Sequence, residues 1–322
     1  MDFLEIISIT LISLLVIITF LPLLKSKLWW IRMMDFPRLQ VLFLLLVALV
    51  LIAYFLDDGW LKVALVFLGF LAGAIQISYL YTFLPFTKVQ IKSKRKIQEK
   101  KSTFKFLISN VYMYNKEYPK LVKLVKKMKP DIFLAVEVDQ KWVDGMSPVK
   151  DDFLYHVEYP QDNTYGMILY SNIDMLSKNI RFLLKDDIPS IHAQMIINGK
   201  EFKLICVHPE PPAPGEASTS VPRDRELIKV ADYVSAKDEP VIVAGDLNDV
   251  AWSDTTRQFV RTSELLDPRV GRGFFNTFNA KYFFMRWSLD HIFVSPHFML
   301  RGMKRCNKIG SDHFPFLIEL YL

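Results

Sequence analysis

The chain of 322 residues is 51% hydrophobic and has a mean hydropathy of +0.20, which is too apolar for an ordinary soluble enzyme. Its two cysteines are too few for a disulfide framework or a cysteine-based metal site. The net charge of +6 comes largely from a short segment after residue 87, so it does not by itself indicate nucleic-acid binding.

Three uncharged segments account for the excess of apolar residues. They are residues 6–24, 39–56 and 63–86, and each is about as long as a helix that crosses a bilayer. The first could instead be a cleaved signal peptide, but acidic Asp2 and Glu5 precede it and no small-x-small cleavage site follows it. The sequence therefore predicts a membrane domain of residues 1–87 with three transmembrane helices.

Basic residues are distributed unevenly around these segments. The first loop carries Lys25, Lys27, Arg32 and Arg38, whereas the second loop carries only Lys62. Residues 88–102 form a strongly basic linker, which could also lie against anionic headgroups. By the positive-inside tendency, the first loop and everything after residue 86 face the cytoplasm, with the N-terminus outside.

From about residue 103 onward, short apolar runs alternate with amphipathic stretches, a pattern typical of one α/β domain of residues 103–322. Strands are predicted at residues 104–108, 132–136, 165–170, 241–244, 289–294 and 314–322. A hairpin is predicted to turn through Asn198-Gly199, between arms at 195–197 and 202–207. Helices are predicted at residues 121–129, at 227–234 and from an N-cap near Ser253 to about Glu264.

The stretch Gly245-Asp246-Leu247-Asn248 follows the strand predicted at residues 241–244. Gly245 allows a sharp turn, and Asp246 and Asn248 then project from the strand end into the same space. A carboxylate and an amide so placed suit a site for a hard cation or for a phosphoryl oxygen, because both offer oxygen and the amide adds a donor. Taken alone, the stretch could also be an Asx turn that closes an αβ unit.

Other polar residues also stand at predicted strand ends. They are Asn110, Glu137, His208, Asp290, Asp312 and His313. Because strand ends meet at one rim of an α/β sheet, we expect these side chains to converge with Asp246 and Asn248. Taken singly, Asn110 could be a turn residue, Glu137 a charge at a helix N-terminus and His208 a hydrogen-bonded loop residue.

The order of these residues carries a family resemblance. The local motifs are Ser109-Asn110, Val136-Glu137, His208-Pro209, Gly245-Asp246-Leu247-Asn248, Leu289-Asp290-His291 and Gly310-Ser311-Asp312-His313. In this order the set resembles the endonuclease/exonuclease/phosphatase superfamily, the group of DNase I, AP endonucleases, neutral sphingomyelinases and inositol polyphosphate phosphatases. The resemblance implies a DNase I-like, four-layer α/β sandwich of two mixed sheets, here preceded by three transmembrane helices.

The resemblance also implies a metal site and a general base. Glu137 would bind a divalent metal, Mg²⁺ or Mn²⁺, with Asn110 and Asp312 completing or supporting the same site. His313 would contact the scissile phosphate or act as general base, and Asp290 would orient its imidazole.

The remaining three residues would act on the attacking water and on the phosphate oxygens. Asp246 would position or deprotonate the water, and Asn248 and His208 would hold nonbridging oxygens. The implied reaction is hydrolysis by in-line attack of water, without a covalent enzyme intermediate.

The chain departs from the family pattern at one position and offers few basic residues near the site. Many relatives have Gln before the metal-binding Glu, where this chain has Val136, so a hydrogen bond that supports the ligand is predicted to be missing. Arg223 and Arg225 are the nearest basic candidates for a phosphate. Both are expected to be exposed charges at a helix start.

Three features together are similar to a membrane subgroup of this superfamily that includes teicoplanin-resistance proteins. They are the three apolar segments, His208-Pro209-Glu210-Pro211-Pro212 and Leu289-Asp290-His291-Ile292. The similarity implies a protein of the bacterial plasma (inner) membrane. In that subgroup the catalytic domain is usually thought to face outward and to act on envelope-linked substrates, whereas the charge distribution predicts the cytoplasmic face.

The sequence as a whole predicts a membrane-anchored, metal-dependent phosphohydrolase. Its substrate would be a phosphodiester or pyrophosphate at the membrane surface, such as a lipid headgroup or an isoprenoid-linked precursor, with membrane lipids as partners. The alternative, a tethered nuclease acting on DNA or RNA, would need a basic groove past Asp246 and His313 and is not favoured. A non-enzymatic scaffold would be expected to have lost residues such as Glu137, which is present.

Overall fold

The computed structural model describes residues 2–93, 103–235 and 238–322. Most of the predicted basic linker, residues 94–102, therefore lies outside the described residues. The helices are α1 (Phe3–Phe20), α2 (Trp29–Arg32), α3 (Arg38–Phe55), α4 (Trp60–Leu80), α5 (Tyr118–Met128), α6 (Gln140–Lys150), α7 (Val221–Ser235) and α8 (Asp254–Ser263). The strands are β1 (Thr103–Asn110), β2 (Ile132–Val136), β3 (Tyr155–Tyr159), β4 (Met167–Ser171), β5 (Asp174–Phe182), β6 (Pro189–Ile197), β7 (Lys200–Cys206), β8 (Val241–Asp246), β9 (Asp290–Val294), β10 (Met299–Arg305) and β11 (Phe316–Tyr321).

Three N-terminal segments are long and apolar enough to cross a bilayer, by length and composition. They are Phe3–Leu24, Arg38–Phe55 and Trp60–Phe83, close to the predicted bounds. The helices contact one another through buried residues that include Ile12, Leu45 and Ala72. Only 28% of the most apolar window of each segment is buried, and the remaining apolar surface suits contact with lipid.

In the part of the chain that the structure describes, eleven strands form two mixed sheets. Their orders are β10-β11-β1-β2-β4-β3 and β5-β6-β7-β8-β9. Within them, β1 pairs with β2 and β7 with β8 in parallel, and the other pairs are antiparallel. The sheets face each other across an apolar core, in which the rings of Phe104 and Phe202 stack with centroids 5.5 Å apart.

Helices cover the outer face of each sheet. The first sheet packs against α5 and α6 through residues such as Leu121 and Trp142, and the second against α7 and α8 through Leu227 and Phe259. The apolar faces of these helices are buried, as their amphipathic sequences require. The predicted four-layer α/β sandwich is therefore confirmed.

The loop between α1 and α3, residues 25–37, lies against the sandwich and is called the docking loop below. Its backbone joins the segment before α7, because the Ser220 amide donates to the Lys27 carbonyl (2.8 Å) and the Trp29 amide donates to the Ser218 carbonyl (3.2 Å). The Lys27 ammonium also pairs with Asp224 of α7, at 2.9 Å. These contacts hold the N-terminal helices directly against the sandwich.

Asp35 is the buried centre of the docking loop. Its carboxylate pairs with Arg32 at 3.1 Å and with Arg38 at 2.5 Å, and all three side chains are at most 4% exposed. The Asp35 carbonyl accepts a hydrogen bond from the indole of Trp252, at 2.7 Å. Arg32 and Arg38, two of the four basic residues of the first loop, therefore form ion pairs inside the protein. Buried charges require such partners.

Most predicted elements are confirmed with shifted ends; besides the single-turn helix α2, four elements were not predicted. The hairpin of β6 and β7 turns through Asn198-Gly199, and the Ser253 hydroxyl caps α8 by accepting from the Thr256 amide. The unpredicted elements are α6, β3, β5 and β10. Helix α6 contains Gly145 and Pro148, which both weaken a helical pattern, and β5 is mostly exposed and so lacks apolar alternation.

Gly245 lies where β8 comes closest to the residue after β7. The sharp turn predicted at this glycine is not found, because β8 continues through Asp246. The glycine is required for a different reason: its φ is +145°, and a Cβ atom there would lie 1.9 Å from the Val207 carbonyl oxygen. This close approach brings His208 beside Asp246.

We expect Gly245→Ala to destabilise the fold by at least about 3 kcal/mol, because the added methyl group meets backbone and the φ value disfavours a side chain. Gly302→Ala is the matched control, since a Cβ at Gly302 has no atom within 4 Å. Thermal unfolding of both full-length variants in detergent measures the difference. Equal unfolding temperatures for the two variants would contradict the close packing of β7 and β8.

Candidate active site

The eight predicted site residues all lie at one rim of the two sheets. Asn110 and Asp246 end β1 and β8, Glu137 and His208 follow β2 and β7, Asn248 follows β8, Asp290 begins β9, and Asp312 and His313 precede β11. Strands β9 and β11 run antiparallel to β8 and β1, so their starts meet the ends of those strands. The predicted convergence is present, whereas the role of each residue stays a prediction.

Asn110 joins two carboxylates at the centre of the rim. Its amide nitrogen donates to Glu137 Oε1 at 2.7 Å and to Asp246 Oδ2 at 2.9 Å. Its side-chain oxygen accepts from the Tyr112 amide at 2.9 Å. The structure therefore places Asn110 as a support for two acidic side chains, with its oxygen already engaged by backbone.

His313 lies between two buried aspartates. Its Nδ1 is 2.8 Å from Asp290 Oδ2, and its Nε2 is 3.5 Å from Asp246 Oδ2. Asp290 is 2% exposed and His313 is 5% exposed. The predicted Asp290–His313 carboxylate–imidazole pair is thus present, and it directs Nε2 toward Asp246.

His208 and Asn248 lie on either side of Asp246. The imidazole of His208 is buried, and its Nδ1 atom has no hydrogen-bond partner among the described residues. The Asn248 amide nitrogen donates to the Pro209 carbonyl at 2.9 Å, and its backbone N–H donates to Asp246 Oδ1 at 2.9 Å. The Asn248 backbone is left-handed, with φ of +51°, which Asn tolerates better than most residues.

Asp312 is partly exposed, as are Glu137 and Asn248 at the same rim. Its backbone carbonyl accepts from the Ala280 amide at 2.6 Å, and its carboxylate lies 3.4 Å from the Ser311 hydroxyl. The negative charge of Asp312 is near enough to raise the pKa of Glu137 and of His313. Among the described residues, Asp246 rather than Asp312 provides the second carboxylate beside Glu137.

Burial and nearby charges shift the pKa values of Glu137 and His313. Desolvation, with smaller contributions from the charges of Asp246 and Asp312, raises the pKa of Glu137 to about 7. Burial by itself lowers the pKa of His313, but Asp290 and Asp246 outweigh it and raise that pKa to about 10. The His313 imidazole is therefore a charged hydrogen-bond donor at neutral pH.

Two overlapping groups of side chains have ligand atoms within 4.8 Å of one another. They are Glu137, His208 and Asp246, and Asp246, Asp290 and His313. The second group contains the charged imidazole of His313, which disfavours a cation. The first offers two carboxylates, which hard cations prefer, and a cation there would stabilise the ionised form of Glu137, whose pKa is raised mainly by burial. The first group is therefore the better candidate for a divalent metal.

Three further residues contribute to the site, and the two aromatic ones were not identified from the sequence. The Phe278 ring lies 5.0 Å from the His313 ring, and the Tyr165 ring lies 5.6 Å from that of His208. Arg223 is fully buried and donates to the Asn248 carbonyl at 2.7 Å, so the expectation of an exposed charge is wrong for Arg223 and holds for Arg225. Only Arg223 was considered from the sequence, and nothing in its spacing indicates burial.

We expect Asn110→Asp to destabilise the metal-free protein at pH 8 by about 2 kcal/mol, because a third carboxylate replaces a donor shared by two others. Crowding raises the pKa of the carboxyl groups in the folded state above their value in the unfolded state. The loss of stability caused by Asn110→Asp should therefore become smaller as pH falls toward about 4.5, where these groups are protonated in the folded protein. Thermal unfolding in EDTA at several pH values measures this, with exposed Asn307→Asp as control. A penalty that does not depend on pH would show that the three carboxyl groups do not interact in the folded protein.

Comparisons with known proteins agree with this architecture. Residues 107–313 match the model of the Endonuclease/Exonuclease/phosphatase family. A search of curated proteins found no match. Similar solved structures include D. rerio TDP2 complexed with single-strand DNA product, at 17% identity over 69% of this chain and 100% of that chain, with a TM-score of 0.56.

Two structures from Bacteroides thetaiotaomicron are also similar. One is a mannosyl-6-phosphatase, at 20% identity over 68% of this chain and 100% of that chain, with a TM-score of 0.54. The other is an endonuclease/exonuclease/phosphatase family protein, at 20% identity over 68% and 94%, with a TM-score of 0.55. Identities this low support a shared fold, and the family model spans the rim from Asn110 to His313. The chain belongs to the endonuclease/exonuclease/phosphatase family of phosphoric ester hydrolases.

Proposed function

We propose that this protein is a membrane-anchored, divalent-metal-dependent phosphohydrolase that cleaves a phosphodiester or pyrophosphate of a lipid-linked or membrane-surface substrate. The observation that carries the proposal is the meeting of Glu137, His208, Asp246 and the Asp290–His313 pair at one rim of a sandwich packed against three apolar helices. The three parts would be a membrane domain of residues 1–87, a linker of 88–102 and a catalytic domain of 103–322.

The metal would be held by Glu137 and Asp246, with His208 beside them. Carboxylates suit Mg²⁺, and the imidazole would make Mn²⁺ an acceptable alternative. When bound, a divalent ion offsets negative charge on the phosphoryl oxygens. Asn110 supports both carboxylates, and Asp312, predicted as a ligand from the sequence, would act from the exposed side of the same site.

The chain's own groups would then position the reactants. Asp246 would orient a water molecule for in-line attack and accept its proton. His313, held by Asp290, would donate from Nε2 to a nonbridging oxygen, and Asn248 and His208 would bind the others. The neighbouring Asp290 and Asp246 raise the pKa of His313, which favours this donor role over the role of general base that the sequence left open.

Membrane attachment is supported by the three apolar helices and by the docking loop, which packs against the same sandwich. The charge distribution favours a catalytic domain on the cytoplasmic face of the bacterial plasma membrane. Of the basic residues in the first loop, only Lys25 and Lys27 support the cytoplasmic orientation, because Arg32 and Arg38 are buried against Asp35. Membership of the subgroup with teicoplanin-resistance proteins, and the outward orientation that it implies, remains the alternative.

A nuclease is the second candidate, because D. rerio TDP2 complexed with single-strand DNA product has a similar fold. The mannosyl-6-phosphatase is an equally similar structure, so the fold does not separate the two substrate classes. The apolar helices favour the membrane-surface substrate.

We expect Asp246→Asn to lower kcat for bis(4-nitrophenyl) phosphate by at least about 10³-fold, since the amide cannot accept a proton from water. The matched control is Asp238→Asn, because the Asp238 side chain is fully exposed and precedes β8 at the end opposite the site. The full-length proteins are assayed in detergent with Mg²⁺. Retention of more than a tenth of wild-type activity by Asp246→Asn would remove Asp246 from the mechanism.

We expect divalent-metal affinity to be about tenfold higher at pH 8 than at pH 6, because the metal competes with a proton on Glu137, whose pKa is about 7. Calorimetric titration of the full-length protein with Mn²⁺ measures this directly. Glu137→Gln should bind the metal more weakly and lose most of the pH dependence. The same affinity at both pH values would exclude Glu137 as the ligand.

A further inference from the structure

Four consecutive side chains near the site are both apolar and exposed. Tyr282, Phe283, Phe284 and Met285 are 55%, 80%, 56% and 45% exposed. The Phe284 ring lies 5.4 Å from that of Phe283 and 6.2 Å from that of Tyr282, so the rings form one cluster. We call residues 282–285 the aromatic tip. An apolar run of this length is unfavourable in water and marks a surface with a partner.

The aromatic tip stands on a rigid base. Backbone hydrogen bonds join Phe278 and Trp287 in both directions, and the Asn279 amide donates to the Met285 carbonyl at 3.1 Å. Trp287 is buried and Phe278 is partly buried, and their rings pack together with centroids 5.7 Å apart. The four exposed side chains are therefore presented by a fixed, paired loop.

The base of the same loop contacts the candidate active site. The Phe278 ring lies 5.0 Å from the His313 ring, and the Ala280 amide donates to the Asp312 carbonyl at 2.6 Å. Only a few residues of chain separate these contacts from Phe283. Whatever surface covers the aromatic tip is thus brought close to the catalytic rim.

The loop is also fixed to the membrane segment. The side-chain amide of Gln40 donates to the Phe284 carbonyl at 2.8 Å, and the Phe36 ring packs on Trp287 at 5.7 Å. Gln40 is in the first turn of α3, where this candidate span begins. The same end of α3 exposes Leu39 and Phe43, which would contact lipid. The aromatic tip therefore lies at the level where α3 would enter the bilayer.

Cationic side chains flank the aromatic tip. The Lys281 ammonium lies 4.5 Å from the Tyr112 ring, and Arg286 and Arg305 both lie over the Phe314 ring, at 5.1 and 4.5 Å. Aromatic side chains with adjacent Lys and Arg are typical of protein surfaces that bind the interfacial layer of a bilayer, where rings enter below the headgroups and cations meet phosphates.

We infer that residues 282–285 insert into the headgroup layer of the same bilayer that the three apolar helices cross, and so bring a membrane-borne phosphate to His313. The contact with lipid follows from the exposure of the tip and its bond to Gln40. The delivery of substrate rests, in addition, on the proposed function. Single-stranded nucleic acid could also stack on exposed aromatic rings, and the experiments below distinguish that outcome.

The depth of the tip can be measured with a fluorophore on the full-length protein in phosphatidylcholine/phosphatidylglycerol vesicles. Phe283→Cys provides a single reactive site for an NBD label, because native Cys206 and Cys306 are buried. Leu154→Cys is the control, since Leu154 is 72% exposed and lies just before β3, at the end of the first sheet opposite Glu137. We expect lipid-attached quenchers to quench the label at 283 at least about threefold more than the label at 154. Equal quenching at the two positions would overturn the inference.

Kinetics test whether the tip serves substrate delivery. We expect the double variant Phe283→Ser, Phe284→Ser to raise KM for an isoprenoid pyrophosphate in vesicles about tenfold or more and to leave hydrolysis of soluble bis(4-nitrophenyl) phosphate unchanged. Unchanged vesicle hydrolysis together with weakened cleavage of single-stranded DNA would assign the tip to nucleic acid and overturn the inference. If the wild-type protein hydrolyses none of these substrates, the proposed function fails, and the quenching result still decides whether the tip contacts lipid.

Discussion

The central constraint on this structure is the crowding of acidic side chains at one rim of the sandwich. Asp246 lies within 4.8 Å of Glu137 in one group of side chains and within 4.8 Å of Asp290 in another, and burial of such charge is costly unless donors compensate it. Asn110 donates to two of these carboxylates and His313 contacts two of them. The hydrogen bond from Asn110 does not fully offset the burial of Glu137, whose pKa is raised to about 7. A cation beside Glu137 would stabilise its ionised form.

Two series of contacts connect the rim to the N-terminal segment. Lys27 of the docking loop pairs with Asp224, which pairs with Arg223, which donates to the Asn248 carbonyl. On the other side, aromatic rings pack in sequence from Phe36 through Trp287 and Phe278 to His313. The docking loop thus supports both sides of the candidate site. Removal of the N-terminal segment would therefore remove residues that hold the candidate site in place.

Sequence patterns predicted an α/β domain and the convergence of polar residues at one rim, and the family resemblance implied the four-layer sandwich. Apolar runs that end in Asn110, Glu137 or Asp246 mark strand ends, and strand ends share a rim. Sequence patterns failed where structure depends on long-range contact: α6 contains Gly145 and Pro148, β5 is exposed, and Arg223 is buried by partners at residues 224, 248 and 249. The association of the docking loop with α7 joins residues nearly 200 positions apart, which local patterns cannot indicate.

The most direct test of the central claim is substrate turnover by the full-length protein in vesicles with Mg²⁺, with the Asp246→Asn variant as blank. An isoprenoid pyrophosphate and a phospholipid in the vesicles are compared with plasmid DNA added outside. The account predicts release of phosphate or headgroup from a vesicle-borne substrate and little cleavage of the plasmid. Metal-dependent cleavage of the plasmid with no turnover in the vesicles would contradict it and would identify the protein as a tethered nuclease.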